Sequence, residues 1–566
     1  MNLKLNNLFL LILISLSVTA QTARVQVIHN SADASAAQVD VYLNDGMLID
    51  DFAFRTATAF IDAPAGIPID IEIAPSTSST SAESIYTLTT TLTAGETYVL
   101  VASGIVSASG YSPATPFGID VFGMGQEMAA SSGNTDLLVY HGSTDAPTVD
   151  IYEKDAGELA GDAAYGNFAG YLELPTADYY LQVREETGTT SVAGFDAPLA
   201  TLGLADSAAV VVASGFLDPS MNSDGAAFGL YVALPQGGDL VALPESKARV
   251  QVIHNSADAA ASAVDVYLND GLLIDDFAFR TASAFIDAPA GQSISIDIAP
   301  GTSASAGESI YNLSTMLDPT KTYVLVASGI VSASGYSPAT PFGIDVFDMG
   351  QEMAASSGNT DLLVYHGSTD APTVDIYEKD AGELVDNLMY GDFAGYLALP
   401  TQDYTIEVRN EAGTGIVASY QAPLSTLSLQ DSAIVVLASG FLDPVNNSNG
   451  ESFGLYVSLP GGGELLALPI YTNIEERFNA GTKQLNAYPV PAADLLTVEY
   501  RIENPGESII EVFDVTGNRI EMILPGKQPA GKHAIEIGLN NYKEGVYFIR
   551  LRTEKSTSMV KVSVAK

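Results

Sequence analysis

Four of the five histidines open the same short run. His29, Ser31 and Asp33 stand two residues apart, and the pattern returns at His141, Ser143 and Asp145, at His254, Ser256 and Asp258, and at His366, Ser368 and Asp370. These are the residue types of a nucleophilic triad, and in an extended strand a two-residue step puts all three on one face. Such chemistry needs a base oriented by a third group and an oxyanion hole beside the nucleophile. The single G-x-S-x-G run, Gly450 to Gly454, lies outside the repeated histidine runs, and four copies of one catalytic centre would be unusual. The plainer expectation is structural: histidine ends a strand, while serine and aspartate bond backbone groups in the next turn. A metal or ligand site is the lesser alternative.

Two other patterns bear on metal chemistry. Asp40, Asp150, Asp265 and Asp375 lie between apolar residues of one repeated strand. They are expected to face solvent, with a bond to the repeat histidine as the sharper alternative. The run Asp218 to Gly225 is oxygen-rich, and Asp218, Asn222 and Asp224 are its candidate calcium ligands. Calcium takes six to eight oxygens, this loop has few carboxylates, and Asn449 stands where the duplicate copy would need Asp224. A hairpin turn is the expectation, and calcium is the one cofactor left open. With no cysteine, thiol catalysis and cysteine zinc sites are excluded. The chain has no phosphate-binding G-x-x-x-x-G-K-[ST] and no H-E-x-x-H. Catalysis is not expected.

The elements that position these residues are repeats. Ala23 to Asp33 returns as Ala248 to Asp258, an offset of 225, and from Val101 to Leu159 the two copies differ only at Gly123 against Asp348. An older repeat of about 111 residues lies inside: His29-Asn30-Ser31-Ala32-Asp33-Ala34 is similar to His141-Gly142-Ser143-Thr144-Asp145-Ala146, and Val39-Asp40-Val41-Tyr42 to Val149-Asp150-Ile151-Tyr152. Four units follow, at 21–133, 134–246, 247–358 and 359–469. Each reads as seven or eight short strands with period-two alternation. Asn44-Asp45-Gly46 is a hairpin turn, and Tyr98 to Ala102 is continuously apolar, as suits a central strand. The fold class is all-β: four tandem Ig-like β-sandwich units, then a C-terminal β-sandwich. The short junctions, such as Asp348 to Asn359, predict that neighbouring units pack.

These signatures, H-[NG]-S-[AT]-D-A and V-D-[VI]-Y, resemble the DUF4397 family of extracellular bacterial domains, from residue 23 to about 469. The resemblance implies an Ig-like fold and an extracellular place, and says nothing of a ligand. A polar linker is expected at 470–486. After it come Tyr488-Pro489-Val490-Pro491, Asp514 to Arg519, and Gly545-Val546-Tyr547-Phe548-Ile549-Arg550. In this order the motifs resemble the type A C-terminal sorting domain of the type IX secretion system, over residues 487–566. Val490 stands where that family usually has asparagine, and Asn518 precedes the turn's arginine. The resemblance implies a partner, the secretion machinery, and a cargo that is released or anchored to surface lipopolysaccharide.

Composition agrees with export. Lys4, the apolar run Leu8 to Leu16 and Val18-Thr19-Ala20 read as a signal peptide over 1–20, with Gln21 as the mature start. The run is too short to span a bilayer, and no later segment is a transmembrane helix candidate. The net charge is −45, and residues 487–566 carry ten charges of each sign, so the repeats and their flanks hold the whole excess. Such a surface repels nucleic acid and anionic lipid. The expected function is structural or adhesive, toward an extracellular glycan or protein, in a secreted or outer-membrane surface protein. A carbohydrate-binding array is the alternative, with Tyr42, Tyr98 and Tyr111 as its candidate aromatic row. A hydrolase is the remaining one.

Overall fold

The computed structural model describes residues 21–471, 485–502, 504–515, 518–553 and 557–565. The expected signal peptide and most of the expected linker lie outside these residues. The chain divides into two compact units, Met1–Tyr471 and Thr472–Lys566. Among the described residues the structure is strands joined by turns and short 3-10 segments. No helix there is long and apolar enough to cross a membrane.

The first sandwich shows how the sequence builds each repeat. One sheet is Gly46–Ala53, Gln38–Leu43, Pro68–Pro75 and Tyr86–Thr91, in that order. Asn44 and Asp45, with φ of 48° and 63°, make the tight turn expected between its first two strands. The other sheet centres on Thr22–His29, which pairs in parallel with Thr97–Ser103. Gly118–Phe122 flanks that pair on one side, and Thr56–Ala57 and Ile61–Pro64 on the other. Between the sheets lie Val25, Val27, Val39, Val41, Ile69, Ile71, Ile73 and Leu100.

The continuously apolar strand has a specific cause. Leu100 and Ala102 face the sandwich core, whereas Val99 and Val101 face outward into a second apolar layer. That layer is closed by the next sandwich. Ile28, Val99 and Val101 meet Leu138, Tyr140, Val210 and Val212 from Asn134–His141 and Ser207–Ser214. Two sandwiches therefore stack sheet on sheet, and their inner sheets are buried on both faces. Ile253, Val324, Val326, Leu363, Tyr365, Val435 and Leu437 repeat the seam between the third and fourth sandwiches.

The pair is also interlaced. Gly238–Asp239 lies inside the expected second unit, yet it pairs with Thr56–Ala57 as the edge of the first sandwich's sheet. Gly463–Glu464 does the same to Thr281–Ala282. The C-terminal unit is a smaller sandwich. Leu485–Tyr488, Leu495–Ile502 and Gly531–Gly538 form one sheet; Arg519–Gln528, Gly506–Asp514, Gly545–Thr553 and Thr557–Val564 form the other. Its core includes Leu496, Val498, Ile510, Val512, Ile549 and Leu551.

Candidate functional site

His29 closes the first strand and is fully buried, its ring 5.8 Å from that of Phe52. Its Nε2 lies 2.7 Å from Ala36 O, so that nitrogen carries the proton, and Nδ1 accepts from Ser31 N at 3.4 Å. Burial lowers its pKa to about 4 against the opposing bond to Ala36, and the ring is neutral. Ser31 Oγ donates to Gly104 O at 2.6 Å. Asp33 reaches the same loop. Its carboxylate accepts from Val106 N at 2.7 Å, Ser107 N at 2.6 Å, Ser107 Oγ at 2.8 Å and Ser35 N at 2.9 Å. Burial pushes this carboxyl up, but those four donors outweigh it and hold the pKa below the usual value.

The other copies repeat the arrangement. His141, His254 and His366 bond Pro147 O, Ala261 O and Pro372 O through Nε2. Ser143, Ser256 and Ser368 donate to Gly215 O, Gly329 O and Gly440 O. Asp145 accepts from Leu217 N and Asp218 N, Asp258 from Val331 N and Ser332 N, and Asp370 from Leu442 N and Asp443 N. In every sandwich the serine and aspartate join the turn after the first strand to the loop after the Val/Leu-Ala-Ser-Gly strand, and the histidine ties that turn to its own strand. The serine hydroxyls donate to backbone carbonyls, those of Ser143 and Ser368 also to Asp145 and Asp370, and not to the imidazole.

Asp40 is not solvent-facing, and it does not bond the repeat histidine. It is fully buried, with Oδ1 accepting from Asp51 N at 3.1 Å and Oδ2 from Ser78 Oγ. The register of Gln38–Leu43 against Gly46–Ala53 shifts between Val39 and Val41. This bulge leaves the Asp51 amide without a ladder partner, and the carboxylate of Asp40 takes it. Asp150, Asp265 and Asp375 bond Asp162 N, Asp276 N and Asn387 N in the same way. The fold gathers Asp40, Asp50 and Asp51 within 4.8 Å of one another, a cluster the sequence reading missed. Both oxygens of Asp40 are already hydrogen-bonded, and the other two carboxylates are exposed.

The three candidate calcium ligands do not converge as a ligand set. Asp218 caps a 3-10 turn, accepting from Ser220 N, Ser220 Oγ and Met221 N. Asp224 is exposed, in left-handed backbone with φ of 50°. Asn222 is fully buried: Oδ1 accepts from Ser112 N at 2.9 Å, and Nδ2 donates to Asp145 Oδ2 at 3.1 Å. Ser112 belongs to the first sandwich, so this loop is a clasp between sandwiches. The aromatic row is likewise dispersed. Tyr42 is buried with its hydroxyl on Ser78, Tyr98 accepts from Thr93 N, and Tyr111 accepts from Ala34 N while its ring packs 5.7 Å from Phe216.

The same seam explains the variable position of the signature. Asn30 Nδ2 donates to Gly142 O at 3.2 Å and to Ala213 O at 3.3 Å. A Cβ on Gly142 would stand 2.0 Å from that nitrogen. Asparagine in one sandwich therefore demands glycine in its mate, and Asn255 with Gly367 repeats the pair. Arg55, which the sequence did not single out, reaches across to Ser214 Oγ at 3.0 Å and Ala227 O at 2.8 Å and stacks 4.0 Å over Tyr231.

In the C-terminal unit, Asp514 Oδ1 accepts from Asn518 N at 2.9 Å, and the buried Glu511 accepts from Arg550 at 2.6 Å and Arg519 at 3.0 Å. Arg550 ends the Gly545-to-Arg550 motif. Its hydrogen bond holds the Glu511 carboxyl below its ordinary pKa, against burial.

No curated protein matches the chain. Among solved structures, the multi-modular glycogen-degrading pneumococcal virulence factor SpuA is 10% identical over 56% of this chain and 37% of its own, with a TM-score of 0.12. Latent dimeric PorU from Porphyromonas gingivalis is 11% identical over 74% and 34%, with a TM-score of 0.13. PorZ, a surface component of the type IX secretion system of that organism, is 9% identical over 90% and 69%, with a TM-score of 0.12. The chain spans little more than a third of the length of the first two, and likeness at these TM-scores carries no argument. The family comparison is specific. A domain of unknown function, DUF4397, matches residues 23–117, 135–261, 248–377 and 360–437, and a secretion system C-terminal sorting domain matches 486–565. The sorting domain indicates export through the type IX machinery, and the protein is secreted or held at the cell surface. The chain belongs to the DUF4397 family, whose domain it carries in four consecutive copies ahead of that sorting domain.

Proposed function

We propose that this protein is a non-enzymatic surface or secreted support, in which paired sandwiches hold acidic binding faces away from the envelope. The observation that carries this reading is the apolar seam inside each pair, with Leu138 and Tyr140 wholly buried against Ile28, Val99 and Val101. A seam with the packing of a core stiffens a tandem array, and repetition supplies avidity without any catalytic group. The signature residues serve as a latch between two loops of each sandwich. Ser31 and Ser143, the nucleophiles a hydrolase would use, donate to Gly104 O and Gly215 O.

The test has two arms. Deleting residues 486–565 should retain the chain inside the cell envelope, whereas the full chain reaches the surface. The exported protein is then screened against glycans and matrix proteins, with and without calcium, and should bind one class. Labelling by a fluorophosphonate that is abolished by Ser31→Ala or Ser143→Ala would overturn the non-enzymatic reading. Binding to glycans alone, lost on Tyr→Ala changes, would favour the carbohydrate-binding array.

A further inference from the structure

The interior of the fourth sandwich is incompletely filled. A cavity of about 100 Å³ lies between its sheets, against Leu362, Val364, Ile376, Val436 and Leu455. The second sandwich has the equivalent cavity at about 30 Å³. Truncated side chains do not account for the difference, because Val385, Leu388 and Ile434 replace Ala160, Ala163 and Ala209. The larger cavity also extends to exposed side chains. Two of its wall residues are exposed, Val417 at 53% and Leu442 at 42%, whereas their counterparts Val192 and Leu217, exposed at 54% and 52%, take no part in the smaller one.

The wall carries no charged side chain, so a charged ligand would lose its hydration without compensation. It does include His366, which is 1% exposed. Nε2 of that ring lies 3.1 Å from Pro372 O and therefore bears the proton. Nδ1 is left as a buried acceptor with no hydrogen-bond partner.

We propose that the fourth sandwich binds one small, uncharged and mainly apolar molecule, the size of a single aromatic ring, admitted between Val417 and Leu442. Dry apolar cavities of about 150 Å³ take up benzene or xenon, which sets the scale of the occupant.

The test is a calorimetric and methyl-NMR titration of the full chain with phenol, toluene and benzoate. Phenol and toluene should saturate at one molecule per chain, and benzoate should not bind. Ala422→Leu places bulk in the cavity and should weaken both by about tenfold or more. The matching Ala197→Leu in the second sandwich should leave binding unchanged. Val417→Glu alters only the exposed mouth, and it serves if the core variant fails to fold; it too should weaken binding. No saturable binding of phenol or toluene would overturn the proposal. So would binding that survives the folded variants of the cavity and mouth, or benzoate binding as tightly as phenol.

Discussion

At Asn30 and Gly142 one side chain in the first sandwich dictates the absence of one in the second. The amide of Asn30 occupies the place a Cβ at 142 would take. Gly142→Ala should therefore destabilise the first pair by about 1–3 kcal/mol through overpacking, and less in an Asn30→Ala background, where the closest clash is gone and those with Tyr140 and Ala213 O remain. Urea denaturation of the four variants of this cycle measures the coupling. The histidines make a second prediction. His29 and His254 have folded pKa values of about 4 against 6.5 when unperturbed. Between these values the unfolded chain takes up a proton that the folded ring refuses, so stability falls as pH drops from 6.5 to 4. The loss amounts to roughly 3 kcal/mol per histidine. Midpoints of denaturation across that window, compared with His29→Gln, should show a slope smaller by about one proton in the variant. The position-30 alternation was visible in the sequence as H-[NG]-S, but its meaning was not, because the two partners stand 112 residues apart.

At the scale of elements, period-two alternation located the strands, and the uninterrupted apolar run Tyr98 to Ala102 marked a central one. What covers its second face is a neighbouring sheet, and local pattern carries no information about that. Leu138 belongs to this layer and is fully buried. Leu138→Ala should cost the first pair about 2–5 kcal/mol, as large-to-small core changes do, although the residue lies between sandwiches and not within one. Thermal unfolding of the full chain should show the transition of that pair moved and the matching pair little affected. Asp40 teaches the complementary lesson. Alternation assigned it to solvent, but a bulge at Asp50 and Asp51 left an amide unpaired and drew the carboxylate inward. A bulge breaks the period on which the reading depends.

At the scale of the whole repeat array, the two pairs meet at one close joint. A Cβ on Gly194 would stand 2.3 Å from Ala290 O, and Ser191 Oγ donates to Gly291 O. Lys154 adds an ion pair to Asp318 at 3.4 Å. Gly194→Ser should open this joint and broaden the distribution of distances between spin labels placed on the two pairs, as read by pulsed dipolar spectroscopy. The fourth sandwich already carries Ser419 at the equivalent position, so Ser419→Gly should leave that distribution unchanged.

The sequence alone determined that this chain is all-β, that its repeats number four, and that it ends in a sorting domain. Those properties reside in local alternation, turn residues and self-similarity, which are read along the chain. Only the tertiary structure decided that the repeats work in pairs, that the candidate calcium loop is a clasp, and that the signature aspartates pin a loop about 73 residues downstream. Each of these depends on which faces meet across large sequence separations, and apolar surface is buried by whatever comes to lie against it.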